Sequence, residues 1–265
     1  MPSTSPLDWL DAFGDDEPVI DPGHHMRELA ERAGQAESTA SAPLVLASFM
    51  PPTIEVIADT IGGRPTWRSG VRVGELNGMP AAVAKLSPGA SWTVMTLEEL
   101  IAGGARTILI GGAIGSLQPH IPIGHHVVPT GARREEGTSF HYAGPEHAAA
   151  ASGPATRALL EAAHDGSRPV HQGRVWTTDA PYREFRGKVV RYAAEGDLGV
   201  EMESSAAMTL AAVRGVDIGL ILTVSDHVFD PGWGNIFGTD EYAANCADLA
   251  QIMLAAARQL IAAEA

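Results

Sequence analysis

The chain reads as an α/β protein. Three observations carry that expectation. Short apolar runs rich in Val, Ile and Leu alternate with longer segments of helical period, the order that βα units produce. Several runs, "APLVLASF", "RTILIGG" and "IGLILTVSD" among them, are continuous rather than alternating, as in strands covered on both faces. Glycine, proline and Asn-Gly pairs stand at the joints between segments.

Residues 1–42 are rich in Pro, Ser, Asp and Glu and read as a partly irregular N-terminal extension, in which "HHMRELAERAG" predicts one short helix ended by Gly34 and "AERAGQAESTASAP" a loop. The domain proper is expected over 43–265. "APLVLASF" is its first strand, and "PTIEVIADTIGG" a helix with a glycine stop. "VRVGELNG" and "PAAVAKLS" form a hairpin about Asn77-Gly78. A helix at "TVMTLEELIAGGA" leads to a strand at "RTILIGG", then to one at "HHVVPTGA". Beyond the loop "RREEGTSFHYAGPEH" come a helix near 154–165, a strand near 169–177 and a helix from about Tyr182. Strand 198–202, helix 203–214, strand 217–224 and a final helix near 239–263 complete a mostly parallel sheet covered on both faces.

The bulk numbers exclude several functions. Eighteen basic against 32 acidic residues give a formal charge of -14, which repels nucleic-acid phosphates and anionic lipid. A hydrophobic fraction of 45% with mean hydropathy +0.02 is that of an ordinary globular chain. No apolar run reaches the roughly 18 residues of a membrane span, and the N-terminus lacks the pattern of a signal peptide. The one cysteine, Cys246, excludes an internal disulfide and fits a reducing compartment. A cytoplasmic protein that binds neither nucleic acid nor membrane is expected.

Ligands of open α/β sheets bind beyond the carboxyl ends of the strands. Glu201, Glu203, Asp226 and Asp179 each stand where an apolar run ends, and a glycine loop "GGAIGS" follows "RTILI". Carboxylates one residue apart suit the two hydroxyls of a ribose, and a carboxylate stabilises the oxocarbenium character that builds at C1′ when a glycosidic bond breaks. The departing heterocycle needs a proton, which Asp226 in its acid form would supply. The same acids also fit helix N-caps or solvated loops.

"GVEMESSAA" followed by "ILTVSDH", with "VWTTDAPYRE" and "VVPTGARREEGTSFHY" upstream, resembles the nucleoside phosphorylase family over about 43–260, nearest to a uridine phosphorylase-like branch. The resemblance implies one α/β domain with a central mixed, partly barrel-like sheet, and a homo-oligomer, dimer-based or hexameric. It implies ribose binding by Glu201, Met202 and Glu203, with Glu203 on the hydroxyls. It places Asp226 against the base, and Thr178, Asp179, Tyr182 and Arg183 along the base pocket. No cofactor or metal is implied; phosphate is the implied co-substrate.

The chain departs from the family where phosphate should bind. Ile54 and Ile110 stand where arginines are expected, Ala113 replaces a hydroxyl, and Trp67 falls at the place of a partner-subunit arginine, with Arg68 one residue away. One reading is a phosphorylase with a rearranged anion site drawn from Arg68, Arg72, Ser91, Thr93 and the Gly112 amide. Another is a hydrolytic nucleosidase in which Glu55 activates water. A third is a non-catalytic nucleoside-binding or scaffold relative. The base is open as well, since "APYREFRGK" has no Gln and leaves uracil recognition to Arg183 or Arg186. The histidines of "HIPIGHH" and the pair His24-His25 lack metal-site spacing and read as solvated.

Overall fold

The computed structural model describes residues 18–35, 40–230 and 232–264. Most of the irregular extension, 1–17, and part of the expected linker, 36–39, lie outside the described residues. The short helix appears as α1 (Pro22–Arg32), started by the Asp21 carboxylate, which accepts from the His24 N–H at 2.7 Å, and by Pro22 at its first position.

The strands are β1 (Leu44–Ser48), β2 (Arg64–Pro65), β3 (Val71–Leu76), β4 (Met79–Lys85), β5 (Thr107–Ser116), β6 (His126–Glu135), β7 (Ala149–Ala150), β8 (Val170–Thr178), β9 (Gly199–Glu201) and β10 (Asp217–His227). The helices that follow α1 are α2 (Pro51–Ile61), α3 (Ala90–Ala102), α4 (Gly153–His164), α5 (Arg186–Ala194), α6 (Ser204–Arg214) and α7 (Asp240–Glu264). The β3–β4 hairpin turns through Asn77 at φ 50° and Gly78 at φ 81°, the two left-handed residues a tight hairpin requires.

The sheet order is β10-β6-β8-β9-β5-β1-β4-β3-β2, and an additional β10–β5 pairing closes the first five strands into a ring. The result is a partial five-stranded barrel continued as an open sheet. Helices α3 and α6 pack on one face, with Leu97, Leu100, Met208 and Leu210 in a core shared with Ile108 and Ile110. Helices α2, α4 and α7 pack on the other, where Ile57, Leu159, Leu249 and Met253 meet Leu46 and Leu109. Helix α7 has the length and hydropathy of a membrane span, yet Cys246, Leu249, Ala250, Met253 and Ala257 put one stripe of it in this core.

The mixed, partly barrel-like sheet that the resemblance implies is the one present, and two readings from local pattern are corrected. The sheet is not mostly parallel, because β10 runs parallel to β5 while β6 is antiparallel to β10 and β9 is antiparallel to β5. Continuous apolar runs report burial on both faces and carry no information on direction. Second, "GGAIGS" is strand, the last part of β5, rather than a loop. Its glycines serve close packing: a Cβ on Gly111 would lie 2.6 Å from the Met253 sulfur, and one on Gly112 2.9 Å from Leu222 Cδ2.

Candidate active site

Register brings the candidate acids together. Gly115 on β5 is level with Val200 on β9 on one side and with Asp226 on β10 on the other. A Cβ on Gly115 would stand 3.0 Å from Asp226 Oδ2, so only glycine lets the two strands carry an acid here. The ends of β9 and β10 thus flank the end of β5, because the short β9 is laid antiparallel beside it.

Glu201 and Glu203 take different environments. Glu201 is buried and accepts the Thr177 hydroxyl together with the N–H groups of Glu203 and Ser204, at 2.8 and 2.7 Å. Thr177 in turn accepts the Ser205 N–H at 3.0 Å. Three amides at the start of α6, which have no partner within the helix, are thereby satisfied by side chains from β8 and β9. The Ser205 hydroxyl donates to buried Glu136 at 2.8 Å, tying the loop after β6 to the same point. Glu201 is the keystone of this junction, and its oxygens face the protein.

Glu203 is also buried, and its side chain takes the Gly89 N–H at 2.5 Å, with the Met202 backbone as a further donor. Burial, and then the neighbouring Glu201 charge, push its pKa well above the ordinary carboxyl range. Burial raises the pKa of Glu201 as well, against the hydrogen bonds it receives from Thr177, Glu203 and Ser204. Met202 is half-buried between them. Gly89 precedes α3, so Glu203 lies against the start of that helix.

Asp226 is 7% exposed, and both its oxygens are engaged. Ser225 Oγ lies 2.7 Å from Oδ1, and the Trp233 indole N–H donates to Oδ2 at 2.8 Å. The loop after β10 folds back on the strand to make this contact, with Asn235 bridged to Asp226 and the Ile236 N–H donating to the Ser225 carbonyl at 3.1 Å. Glu184, at the end of the turn Pro181–Arg183, lies in the field of Asp226, and burial followed by that charge pushes its pKa up to about 7.

The remaining candidates are placed as follows. Thr178 is buried, and its Oγ1 accepts the Ala180 N–H at 3.3 Å. Exposed Asp179 accepts the Gly137 N–H at 2.8 Å. Tyr182 is 99% exposed, and Arg183 lays its guanidinium over the Phe185 ring at 4.5 Å, so neither side chain closes on the acids. Ser91 is exposed on the first turn of α3, and buried Thr93 donates to the Ser87 carbonyl at 3.2 Å. Glu55 stands away from the acids in an ion pair with Arg72, at 2.7 Å through both oxygens. Arg68 is paired with Glu99. Ile54 and Ile110 are core residues on opposite faces of the sheet.

Of the histidines of "HIPIGHH", His120 is exposed as expected, while His125 and His126 are not. His126 is fully buried with Nε2 2.8 Å from Asp248, and His125 Nδ1 lies 2.9 Å from His171 Nε2. Burial lowers the pKa of His126 against the pull of Asp248. Among the described residues no group of three His, Cys, Asp or Glu side chains is placed to hold a metal ion.

Glu184, Trp233, Thr177 and Glu136 escaped the reading of motifs. The Trp in the otherwise turn-forming "DPGWGN" was a signal for Trp233. Glu184 carried none, because its partner Asp226 is 42 residues away and local pattern cannot join them.

Fold and site together describe an α/β chain with a partial five-stranded barrel and buried carboxyls at or just beyond the ends of β9 and β10, which flank the end of β5. A family model described as the phosphorylase superfamily matches residues 43–262, and the chain belongs to that superfamily. It is 34% identical over 173 residues to a uridine phosphorylase of Escherichia coli K12, an alignment covering 60% of this chain and 66% of that protein. It is 32% identical over 164 residues to a guanosine phosphorylase of Halorubrum lacusprofundi (62% and 67%) and to a uridine phosphorylase of Thermococcus kodakarensis (57% and 59%). The matched stretch spans just under two thirds of the length of the first of these relatives.

Proposed function

We propose that the protein cleaves the N-glycosidic bond of a nucleoside, with Glu203 as the group that holds the ribose hydroxyls and phosphate as the attacking co-substrate. The observation that carries this is Glu203 itself: a buried carboxyl that receives backbone amides and no side-chain donor, beside half-buried Met202 and just beyond β9. A buried carboxyl that the fold does not fully satisfy suits a polar ligand, and in its protonated form it both donates to and accepts from a diol. Glu201 contributes by fixing the α6 start on which Glu203 sits. Thr178 and Asp179 border the base side.

The names of the relatives support phosphorolysis, for a uridine or a guanosine substrate. For the anion we assign the first amides of α3, which starts just after the Gly89 that meets Glu203, and the exposed Ser91 hydroxyl on its first turn, since Arg68 and Arg72 each answer a carboxylate. Glu55 is a poor water-activating base, being exposed and neutralised by Arg72. A cytoplasmic homo-oligomer without a bound cofactor completes the proposal.

The test is a panel of purine and pyrimidine nucleosides incubated with and without inorganic phosphate. Base release that requires phosphate and yields a pentose 1-phosphate supports the proposal. Release of free ribose without phosphate makes the protein a hydrolase, and binding without turnover makes it a nucleoside-binding relative. Glu203→Gln should lower turnover at least a hundredfold.

A further inference from the structure

We propose that Glu136 is a positioning residue for Glu203: it fixes the first turn of α6 against the loop after β6, so that Glu203, the residue before that turn, meets the ribose hydroxyls. The proposal rests on the glycosidic-cleavage reading above, in which Glu203 holds those hydroxyls.

The path from Glu136 to Glu203 runs through hydrogen bonds between buried groups. Glu136 follows β6, which runs parallel to β8 with Arg134 level with Thr177 and Glu135 level with Thr178. Glu136 Oε1 accepts the Ser205 hydroxyl at 2.8 Å, and Ser205 is the second residue of α6. The Ser205 N–H donates to Thr177 Oγ1 at 3.0 Å, the Thr177 hydroxyl donates to Glu201, and Glu201 Oε2 accepts the Glu203 N–H at 2.8 Å. Ser205 is thus held twice, by its amide from β8 and by its hydroxyl from Glu136. Without the second bond the first turn of α6 is tied to the strands on one side only.

The other oxygen of Glu136 takes the loop. Oε2 accepts the Ser139 N–H at 2.9 Å, and Ser139 Oγ accepts from Arg134 Nε at 2.8 Å. Arg134 directs its other donors to the carbonyls of Ala143, Gly144 and His147, at 2.7, 2.6 and 3.0 Å, so the loop is braced from within. The next residue, Gly137, donates its N–H to Asp179 Oδ2 at 2.8 Å. Residues 136 and 137 therefore join the start of α6, on the ribose side, to Asp179, on the base side.

Burying a carboxyl is costly where an apolar contact would serve for packing alone. What the carboxyl adds is direction, since two hydrogen bonds of defined geometry in a low-dielectric interior place α6 more closely than apolar contact does. Misplacing a substrate-binding group by about 1 Å costs on the order of 10²-fold in rate.

The test uses the intact protein and the ribonucleoside that the wild type cleaves fastest, beside its 2′-deoxy and 3′-deoxy counterparts, with rates taken per folded molecule. Glu136→Ala removes both bonds, and we expect kcat/KM on the ribonucleoside to fall by about 30–300-fold. Ser205→Ala removes only the bond to Glu136 and should lose about 5–30-fold; it carries the test if Glu136→Ala does not fold. On the deoxynucleoside that the wild type discriminates against most, each loss should be at least about fivefold smaller, because the contact that misplacement spoils is already missing. Glu136→Gln still accepts from the Ser139 N–H and donates to Ser205 Oγ, which takes either role, and should recover to within about fivefold of wild type. Equal losses on all three nucleosides, a glutamine variant as impaired as the alanine one, or a Ser205→Ala rate within about twofold of wild type overturns the assignment. A wild type that cleaves no nucleoside, or that does not distinguish ribonucleosides from deoxynucleosides, overturns the underlying reading instead.

Discussion

Replacing Glu201 by alanine removes the acceptor for three buried donors at once: the Thr177 hydroxyl and the amides of Glu203 and Ser204. A buried donor left without a partner costs about 1–3 kcal/mol. Water entering the space vacated by the side chain will satisfy part of this, and removing a desolvated carboxylate returns some energy. A net loss of about 3–5 kcal/mol follows, a large share of the roughly 5–15 kcal/mol by which folded domains are stable. Glu201→Gln keeps one acceptor oxygen for the two amides but turns an N–H₂ group toward Thr177, and should lose about 1–2 kcal/mol. The assay is urea unfolding at fixed protein concentration, followed by tryptophan fluorescence, with amide exchange read at residues 203–205. At about 2–4 °C per kcal/mol for a chain of this size, the alanine variant should also melt about 6–20 °C lower. An alanine variant that unfolds at the wild-type urea concentration, with amides 203 and 204 still protected, refutes the assignment of Glu201 as the anchor of α6.

Other outcomes follow from the same contacts. Because the Glu203 pKa is raised, the native state holds a proton that the unfolded chain releases at pH 4.5, so this group's stabilising contribution is full below pH 4.5 and fades as pH rises; Glu203→Gln should flatten the alkaline side of the stability–pH curve while it removes turnover. Gly115→Ala puts a methyl 2.9 Å from Val228 Cγ1 and 3.0 Å from Asp226 Oδ2, and should lower kcat sharply for a stability loss of about 1–3 kcal/mol, measured by steady-state kinetics beside denaturation. Arg214→Ala takes a two-bond partner from buried Glu98, leaving it only the Tyr142 hydroxyl at 3.0 Å; we expect a loss of about 1–3 kcal/mol, and a smaller loss when Glu98 is made Gln in the same chain. Arg72→Ala, which breaks a surface pair with Glu55, should change stability by no more than about 1 kcal/mol and leave the KM for phosphate unmoved.

Much of the fold is legible in one dimension because its causes are local. Asn77-Gly78 turns a hairpin wherever it stands between strands, and Pro22 after Asp21 starts a helix. The stripe Cys246, Leu249, Ala250, Met253 and Ala257 marks a helix with one face in a core. The candidate site is legible in part: Glu201, Glu203 and Asp226 stand at strand ends, and those ends are what the chain brings together. Misread were "GGAIGS", where glycines that admit Met253, Leu222 and Asp226 against the sheet look like a loop, and the direction of β9, whose pairing partner lies far along the chain.

What the residues settle unaided is the set of elements, their order, and the resemblance to the phosphorylase superfamily, all of which follow from propensity, period and motif. What required three dimensions is the division of labour among the carboxyls. Glu201 and Glu203 are chemically identical and one residue apart, yet the first holds the Thr177 hydroxyl and the amides that start α6 while the second reaches the Gly89 amide before α3. Asp226 and Glu184 are distant in the chain, yet the first is held by Ser225 and Trp233 and the second sits in its field. Proton affinity is set by burial and by the donors and charges within a few ångströms, and those neighbours are chosen by the packing of β5, β8, β9 and β10.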